Sequence, residues 1–306
     1  MTALLEQNTA VSSVNDLGIS QAELTAIVEE YAGTNTDVKT PELVESKTLQ
    51  LSENYPSSTA NRAAWTHHAV NWSETDKPKI AIIIDDLGLD EEATYTFAKM
   101  TGPLTLAYLP YAEHLEAQTK LIREAGHELM VHLPMQSQRE TADPGDNALL
   151  ADLTFDEFSK RLEWNLSRFD NYVGINNHMG SSLTENPGLM VRVMARLKRD
   201  GHLFVDSLTT PDSVGVRAAN AVNVPYAKRD VFLDNERNPD YIRGQIATLE
   251  RIARKRGYAV GIGHPYPETI TELKRWQETL EGKELQLVPI SQIVNITNER
   301  RKIVTK

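Results

Sequence analysis

The chain of 306 residues contains no cysteine. Disulfide bonds, thiolate zinc sites and a cysteine nucleophile are therefore excluded. Basic residues are also few relative to acidic ones, since 32 Lys and Arg stand against 43 Asp and Glu and give a net charge of -11. This balance argues against a surface that binds nucleic acid and favours a solvated acidic protein.

Long hydrophobic runs are missing as well. No apolar stretch approaches the about 18 residues that a membrane-spanning helix needs, so we expect no membrane-spanning segment. The first residues, MTALLEQNTAVSSVNDLG, lack a basic beginning and an apolar centre, and they do not have the pattern of a signal peptide. Two interpretations stay open from these residues: a cytoplasmic protein, or a chain that begins after a removed leader.

The chain divides into two regions of different character. Residues 1–76 are polar and rich in Ser, Thr and Asn, and we expect a poorly ordered extension and linker there. One short helix is predicted over SQAELTAIVEEYAG, where Ser20 and Glu23 form a capping box and Gly33 ends the helix. Residues 77–306 are predicted to form one folded domain.

In the second region, short apolar segments alternate with longer helical patterns. The predicted strands are KIAIIIDD, LTLAYLP, HELMVHLP, YVGINNH, HLFVDS, YAVGIGHP and LQLVPIS. Helix signals lie between them, such as the capping box of Thr154 and Glu157. This alternation predicts an α/β fold with a parallel sheet covered by helices. About seven such units favour a closed or nearly closed barrel, with an open doubly wound sheet as the second interpretation.

Polar side chains follow several of these strands directly. The residues at the strand ends are Asp85 and Asp86, His132, Asn177 and His178, Asp206, and His264. Because the carboxyl ends of parallel strands meet at one edge of a sheet or barrel, we expect these side chains to lie close together. His127 and His202 stand instead at strand starts, where we expect packed, structural side chains.

Each of these signals is weak when taken alone. An Asp-Asp pair at a strand end is more often part of a turn, and a lone histidine is more often a packed residue than a ligand. Strands that end in Asp-Asp, His, His and His at the same edge indicate a divalent metal site, because imidazole and carboxylate suit Zn, Fe, Ni and Co. A cation would also offset the repulsion between Asp85 and Asp86.

The geometry of a strand adds a condition for the two aspartates. Neighbouring side chains on a strand point to opposite faces, so Asp85 and Asp86 reach one site only if the chain bends there. We expect the bend at the turn formed by Leu87 and Gly88, since glycine adopts turn conformations readily.

Five segments resemble a known family when they are taken in order. IAIIIDDLG, ELMVHLPMQ, NNHMGS, FVDSLTT and GIGHPYP lie between Lys77 and Val294. Together they resemble the divergent polysaccharide deacetylases, distant relatives of the chitooligosaccharide and peptidoglycan deacetylases of carbohydrate esterase family four. The resemblance implies a distorted (β/α)7 barrel, a divalent metal that is usually zinc, and a glycan or peptidoglycan-type substrate. It also implies a location in the bacterial periplasm, the cell envelope or the exterior.

The resemblance assigns catalytic roles to the strand ends. Asp85 would be the general base, and Asp86 and His132 would bind the metal. His264, in the segment GIGH, would be the general acid. Asp206 would orient the catalytic groups or line the site.

Two motifs depart from the family pattern. Gln136 stands where the second histidine of the family's H-x-x-x-H motif belongs, and NNHMGS replaces an arginine-containing motif. We expect His178 to supply the missing imidazole as the third metal ligand. Asn177, Ser181 and Gln136 are the expected substrate-binding residues.

These roles together suffice to hydrolyse an N-acetyl group. The reaction needs a water nucleophile activated by a metal, a base, and an acid for the departing amine. We therefore expect a metal-dependent N-deacetylase of a cell-envelope or extracellular glycan. The two altered motifs keep an alternative open, namely a non-catalytic glycan-binding or peptidoglycan-binding protein that retains the barrel.

Overall fold

A computed structural model gives the fold and describes residues 18–32 and 63–304. The strands are β1 Lys79–Leu87, β2 Thr105–Tyr108, β3 Glu128–Met135, β4 Gly174–Met179, β5 Leu203–Asp206, β6 Tyr226–Lys228, β7 Val231–Phe232, β8 Tyr258–Gly263 and β9 Gln286–Leu287. The helices are α1 Gln21–Ala32, α2 Ala64–His67, α3 Glu91–Ala98, α4 Leu115–Glu124, α5 Phe155–Leu166, α6 Pro187–Asp200, α7 Gly215–Ala221, α8 Pro239–Arg256, α9 Pro267–Gln277 and α10 Ile290–Val304.

All strand pairs in the sheet are parallel, and the order is β6-β5-β4-β3-β2-β1-β8-β7, with β9 beside β1. Although β6 and β7 lie at opposite ends of this order, only residues 229–230 separate them along the chain. Arg229 donates its backbone N–H to Asp206 of β5, and Asp230 donates its own to Val260 of β8. The sheet therefore curls and brings its two end strands near each other without pairing them, which confirms the predicted α/β barrel.

The seven predicted strands are all present. The sequence patterns missed β6 and β7, whose three and two residues are too few to show a period, whereas the equally short β9 lies in the longer apolar segment LQLVPIS. Predicted helix caps are also confirmed. Thr154 accepts a hydrogen bond from the backbone of the first turn of α5, and the pair of Ser20 and Glu23 caps α1. Asp90 caps α3 in the same way. Each such cap contributes about 1 kcal/mol.

Helix α1 packs against α6 and buries Leu24 and Ile27. Gly33, the predicted end of this helix, and residues 51–62 of the predicted linker lie outside the described residues. Within the parts of the chain that the structure describes, none of the helices combines the length and the hydrophobicity needed to span a bilayer.

Alternate side chains of the strands face two different hydrophobic clusters. Ile80, Ile82 and Ile84 pack in the larger cluster, with the surrounding helices. Ala81 and Ile83 pack in the second cluster, which includes the apolar side of α10. The first residues of α10 hydrogen-bond to side chains at the starts of β2 and β3, so this helix closes the amino end of the barrel. The side chains of β1 that point into the barrel form its inward row, which continues from Ile83 to Asp85 at the carboxyl end of the strand.

Candidate metal centre and active site

The two aspartates of β1 reach one site because the strand is irregular at this point. The register between β1 and β2 shifts between Ile84 and Leu87, and Asp86 adopts a left-handed φ of 58°. The bend thus begins at Asp86, inside the strand, and continues at Gly88, the expected turn residue, which adopts a φ of 108°. A non-glycine residue held at positive φ is a form of local strain that proteins concentrate at functional sites.

Asp86, His132 and His178 bring three potential ligand atoms together. Oδ1 of Asp86 lies 2.9 Å from Nδ1 of His178 and 3.2 Å from Nε2 of His132, and the two ring nitrogens are 3.2 Å apart. These three residues form the one cluster, among the described residues, that has the donor set and spacing for a metal ion. They are the three ligands expected from the sequence.

The arrangement of the three atoms suits a cation at their centre. A tetrahedral zinc ion with bonds of about 2.0–2.1 Å would hold its ligand atoms about 3.3 Å apart, close to the observed spacing. Oδ1 of Asp86 is buried and has no aligned hydrogen-bond partner among the described residues, although both imidazoles approach it closely. Ligand atoms that point at a shared centre rather than at each other have this geometry.

Asn176 connects the cluster to Asp85. Its amide Nδ2 donates a hydrogen bond to Oδ1 of Asp85 over 2.7 Å, and its Oδ1 lies 2.9 Å from Nδ1 of His132. With the amide in this orientation, Nδ1 of His132 carries the proton and Nε2 presents its lone pair to the cluster. The sequence reasoning selected Asn177 and missed Asn176. Strand alternation could have found it, because Asn176 shares a face of β4 with His178.

His264 is held by a second carboxylate, Asp234, which the sequence reasoning also missed. Nδ1 of His264 lies 2.9 Å from Oδ1 of Asp234, and Oδ2 of Asp234 accepts hydrogen bonds from Thr269 Oγ1 and from the His264 backbone N–H. Nε2 of His264 faces the cluster, 3.8 Å from Oδ2 of Asp86. The signal for Asp234 was its position after the apolar run VFL, where the short strand β7 ends.

Burial and the neighbouring charges shift the protonation of these groups. Burial raises the pKa of Asp85 above its ordinary value, against the opposing effect of His132 and His264. Burial alone would lower the pKa of His132, but the carboxylates of Asp85 and Asp86 outweigh it and raise that pKa to about 9. The pKa of Asp86 lies far below its usual range, because contacts with His132 and His178 outweigh the effect of burial.

The pKa of His264 is also set by burial and by carboxylates, and here the hydrogen-bonded partner is Asp234. Burial would lower the pKa of His264, but the hydrogen bond with Asp234 and the nearby carboxylate of Asp85 raise it above its ordinary value. The site therefore contains a buried carboxylate that holds a proton more readily than usual and an imidazole that is stabilised in its protonated form.

The structure does not bring Asp206 to this cluster. Ser207 and Val205 share the inward row of β5, so Asp206 points toward the helices that surround the barrel. Its carboxylate accepts hydrogen bonds from the Leu208 backbone N–H over 2.9 Å and from Ser213 Oγ over 2.7 Å. The catalytic role expected for Asp206 stays a prediction. Its contacts stabilise the turn that follows β5.

Two of the expected substrate-binding side chains are engaged within the fold. Gln136 accepts a hydrogen bond from the Ala151 backbone N–H over 2.6 Å. Asn177 donates to the carbonyl of Met179 over 2.8 Å and accepts from the backbone N–H of Ser207 over 2.9 Å. Their roles in substrate binding stay predictions, while their contacts fix the loops around the site.

Ser181, the third expected substrate-binding residue, lines a cleft of about 400 Å³ next to the cluster. Its hydroxyl accepts a hydrogen bond from the Gln138 backbone N–H over 3.0 Å. The cleft walls come from the loops after β3, β4 and β5 and comprise Ser137, Gln138, Arg139, Ala142, Met179, Ser181 and Thr209. Because Met179 directly follows His178, the cleft opens beside the candidate metal ligands.

Tyr111 is a further side chain near the site that the sequence reasoning did not select. It is partly buried in the loop after β2, and Gly145 packs so closely on its ring that a Cβ there would lie 2.4 Å from Cε1. Burial and the nearby carboxylate of Asp86 raise the pKa of Tyr111 to about 12, so its hydroxyl keeps its proton at neutral pH.

Comparisons with known proteins agree with this architecture. The sequence model of the family described as divergent polysaccharide deacetylase matches residues 82–294. The uncharacterized protein YibQ of Escherichia coli is 33% identical over 217 residues, which cover 71% of this chain and 67% of that protein. An uncharacterized protein of Haemophilus influenzae is 30% identical over 210 residues, covering 69% and 74% of the two chains.

A solved structure extends the comparison to the fold. The crystal structure of an uncharacterized protein from Agrobacterium tumefaciens superposes with a TM-score of 0.73 at 26% sequence identity, and the match covers 75% of this chain and 94% of that one. The resemblance found in the sequence segments is thus confirmed by a family match over more than half of the chain. This chain belongs to the divergent polysaccharide deacetylase family.

Proposed function

We propose that this protein is a metal-dependent N-deacetylase that acts on a glycan of the cell envelope. The observation that carries the proposal is the convergence of Asp86, His132 and His178, with a buried carboxylate on one side and a carboxylate-held imidazole on the other. Each group that hydrolysis of an amide needs has a counterpart in this arrangement.

Asp86 Oδ1, His132 Nε2 and His178 Nδ1 would hold the metal, and zinc is the expected ion because two imidazoles and one carboxylate match its preferred donors. When bound, the cation would act as a Lewis acid toward the acetyl carbonyl and lower the pKa of water. Asn176 orients His132 for this task, since it keeps the proton on the ring nitrogen that faces away from the cluster.

Asp85 is the proposed general base. Its Oδ1 already accepts a hydrogen bond from Asn176, which leaves Oδ2 to take the proton of the water that attacks the acetyl carbon. A carboxylate whose pKa is raised by burial is a stronger base than one in solvent, and this suits the transfer. The proton stays on Asp85 while the carbon–nitrogen bond breaks.

His264 is the proposed general acid. Asp234 binds Nδ1 and so directs Nε2 toward the cluster. The carboxylate also favours the protonated ring, so Nε2 has a proton to give to the departing nitrogen. Acetate and a free amino group on the sugar are then the products, and the proton taken by Asp85 balances the one given by His264.

Membership of the family supports a glycan as the substrate. A substrate of this kind would place the protein in the periplasm, at the cell envelope or outside the cell, as the resemblance implied. Fractionation of the native cells followed by immunodetection would test this location.

Acetate release provides the direct test of the activity. The protein is loaded with zinc, its metal content is measured, and it is incubated with chito-oligomers and with peptidoglycan fragments. We expect acetate release that requires the metal and that Asp85→Asn abolishes. A folded, zinc-loaded protein that releases no acetate from either substrate would overturn the proposal. Glycan binding that persists without release in both His132→Ala and Asp85→Asn would instead support the non-catalytic alternative.

A further inference from the structure

A group of cations lies at the amino end of the barrel, opposite the candidate metal centre. Helix α8 ends in Arg254, Lys255 and Arg256, and Gly257 then leads into β8. Arg251, Arg254 and Lys255 are exposed, and because they are spaced three and four residues apart they share one face of α8. In a chain of net charge -11, this last part of α8 carries the opposite sign of charge.

Helix α10 adds Arg300 to the same group. Arg300 Nη1 donates a hydrogen bond to the carbonyl of Arg256 over 3.3 Å, and a Cβ on Gly257 would lie 3.3 Å from Arg300 Nη2. The guanidinium carbons of Arg256 and Arg300 lie 4.0 and 5.5 Å from the centroid of the Tyr258 ring. One aromatic ring thus supports two arginines from two helices. The basic end cluster consists of Arg251, Arg254, Lys255, Arg256 and Arg300.

Few negative charges offset the basic end cluster. Asp230 binds Arg256 through both carboxylate oxygens, and Glu250 of α8 is already bound to Lys283. The other four members of the cluster form no ion pair with a carboxylate of residues 18–32 and 63–304. The ends of α8 and α10 favour nearby cations, but each helix end carries only about half a unit of negative charge. Repulsion among the cations is therefore largely uncompensated within the protein, and a partner of negative charge would relieve it.

We propose that the basic end cluster docks the protein on the surface of an anionic phospholipid membrane. Its cations are exposed at the ends of two helices, where a flat surface can reach several of them at once. Each Lys or Arg next to anionic headgroups strengthens such binding about fivefold. The choice of a membrane over a nucleic acid rests on the proposed function, because it follows from the location at the cell envelope.

Docking through this end would fix the direction in which the candidate active site faces. Gly257, beside the basic end cluster, accepts a hydrogen bond from the backbone N–H of Lys79 at the start of β1, whereas Asp85 and Asp86 lie near the end of this strand. A strand of nine residues spans about 30 Å. The candidate metal centre would therefore stand about 30 Å from the membrane and face away from it, toward a glycan outside the bilayer.

Co-sedimentation with lipid vesicles tests the docking. The full chain is mixed at low ionic strength with vesicles of phosphatidylglycerol and phosphatidylcholine in equal parts, or with vesicles of phosphatidylcholine alone. We expect binding to the anionic vesicles only, and we expect it to be lost at about 0.5 M salt because exposed charges are then screened. The combined variant Arg251→Gln, Arg254→Gln and Lys255→Gln should bind about 100-fold more weakly.

A variant that removes the same charge elsewhere is the matched control. Lys120→Gln, Lys160→Gln and Arg217→Gln together neutralise exposed cations of α4, α5 and α7, and this variant should keep the binding. Circular dichroism and thermal unfolding of both variants check that each is folded.

Equal binding to the two kinds of vesicle, or no binding to either, would overturn the proposal. Binding that the cluster variant retains, or an equal loss in the control variant, would do the same. Tighter binding to a DNA duplex than to the anionic vesicles would assign the cluster to nucleic acid instead. Acetate release from soluble chito-oligomers needs no vesicle, so it separates this failure from that of the proposed function: oligomers deacetylated by a protein that binds no vesicle would leave the reaction standing and the docking wrong.

Discussion

The two ends of the barrel use buried histidine in opposite ways. At the carboxyl end, His132 is 2% exposed and its pKa is raised to about 9. At the amino end, His202 is 8% exposed and burial lowers its pKa to about 4. Since both rings are almost fully buried, burial alone cannot account for the difference. The difference comes from what surrounds each ring.

Carboxylates surround His132, whereas an aromatic ring covers His202. Asp86 lies 3.2 Å and Asp85 lies 3.7 Å from Nε2 of His132. His202 stacks on Tyr172 with ring centroids 4.5 Å apart, and its Nδ1 has no hydrogen-bond partner among the described residues. At the carboxyl end, two carboxylates close to His132 thus outweigh burial, whereas at the amino end burial outweighs the effect of Asp200 on His202.

Replacement of Asp85, at the carboxyl end of the barrel, should have the largest effect on activity. Asp85→Asn keeps the hydrogen-bonding shape and the neighbouring ligands but cannot take a proton from water. We expect acetate release to fall by about 10²–10⁴-fold, the range for loss of a general base. An enzyme-coupled assay of acetate, carried out with saturating zinc, measures the change in rate.

Zinc content is the internal control for this variant, since Asp86, His132 and His178 are unchanged. Asp156→Asn removes an exposed carboxylate of α5 and should retain full activity. Acetate release by Asp85→Asn at the rate of the unmodified protein would show that another group is the base.

The second prediction tests His178 as the third metal ligand, with Gln136, which stands at the position of the family's second histidine, as the control. His178→Ala removes Nδ1 from the cluster, and we expect zinc affinity to fall by more than the about 10–100-fold typical of changes in residues that only support ligands. Gln136→Ala removes the residue at the motif position but should leave the affinity unchanged, because Gln136 hydrogen-bonds to Ala151. Competition with a chromophoric chelator measures both. Equal losses in the two variants would contradict this assignment.

The third prediction concerns the group that orients the acid. Asp234→Asn retains a hydrogen-bond acceptor for Nδ1 of His264 but removes the charge that favours the protonated ring. We expect acetate release to decrease about 10–100-fold. The alkaline limit of the pH–rate profile should move to lower pH, which loss of structure alone would not produce. An unshifted profile would assign Asp234 a purely structural role.

The sequence predicted the fold and most of the site because both depend on strand ends. The seven predicted strands lie in clear apolar runs, and a residue that follows such a run lies at the carboxyl edge by topology. That argument brought Asp86, His132 and His178 together across nearly a hundred residues of chain, and the structure brings the same three side chains into contact.

What the sequence missed depends on local geometry that a pattern of apolar residues does not encode. Asn176 was missed because choosing it required the face on which the strand places each side chain. Asp234 follows a strand of two residues, which is below the length at which a period can be recognised. Gly88 adopts the positive φ expected of it, but the positive φ of Asp86 was missed, because propensity favours glycine for that conformation.

The smallest expected effect lies at the amino end and concerns stability. Because the pKa of His202 is about 4 in the folded protein and near 6.5 when the chain is unfolded, the unfolded state binds more protons between these values. Stability is therefore full above about pH 6.5 and falls as the pH drops toward 4, by up to about 3 kcal/mol from this residue. His202→Phe keeps a ring against Tyr172 and cannot be protonated, so its free energy of unfolding should decline less over the same range. Urea denaturation of both metal-free proteins at several pH values measures how steeply the free energy of unfolding of each protein changes with pH. Equal slopes would mean that His202 does not titrate in this window, and that its ring differs from His132 in packing but not in protonation.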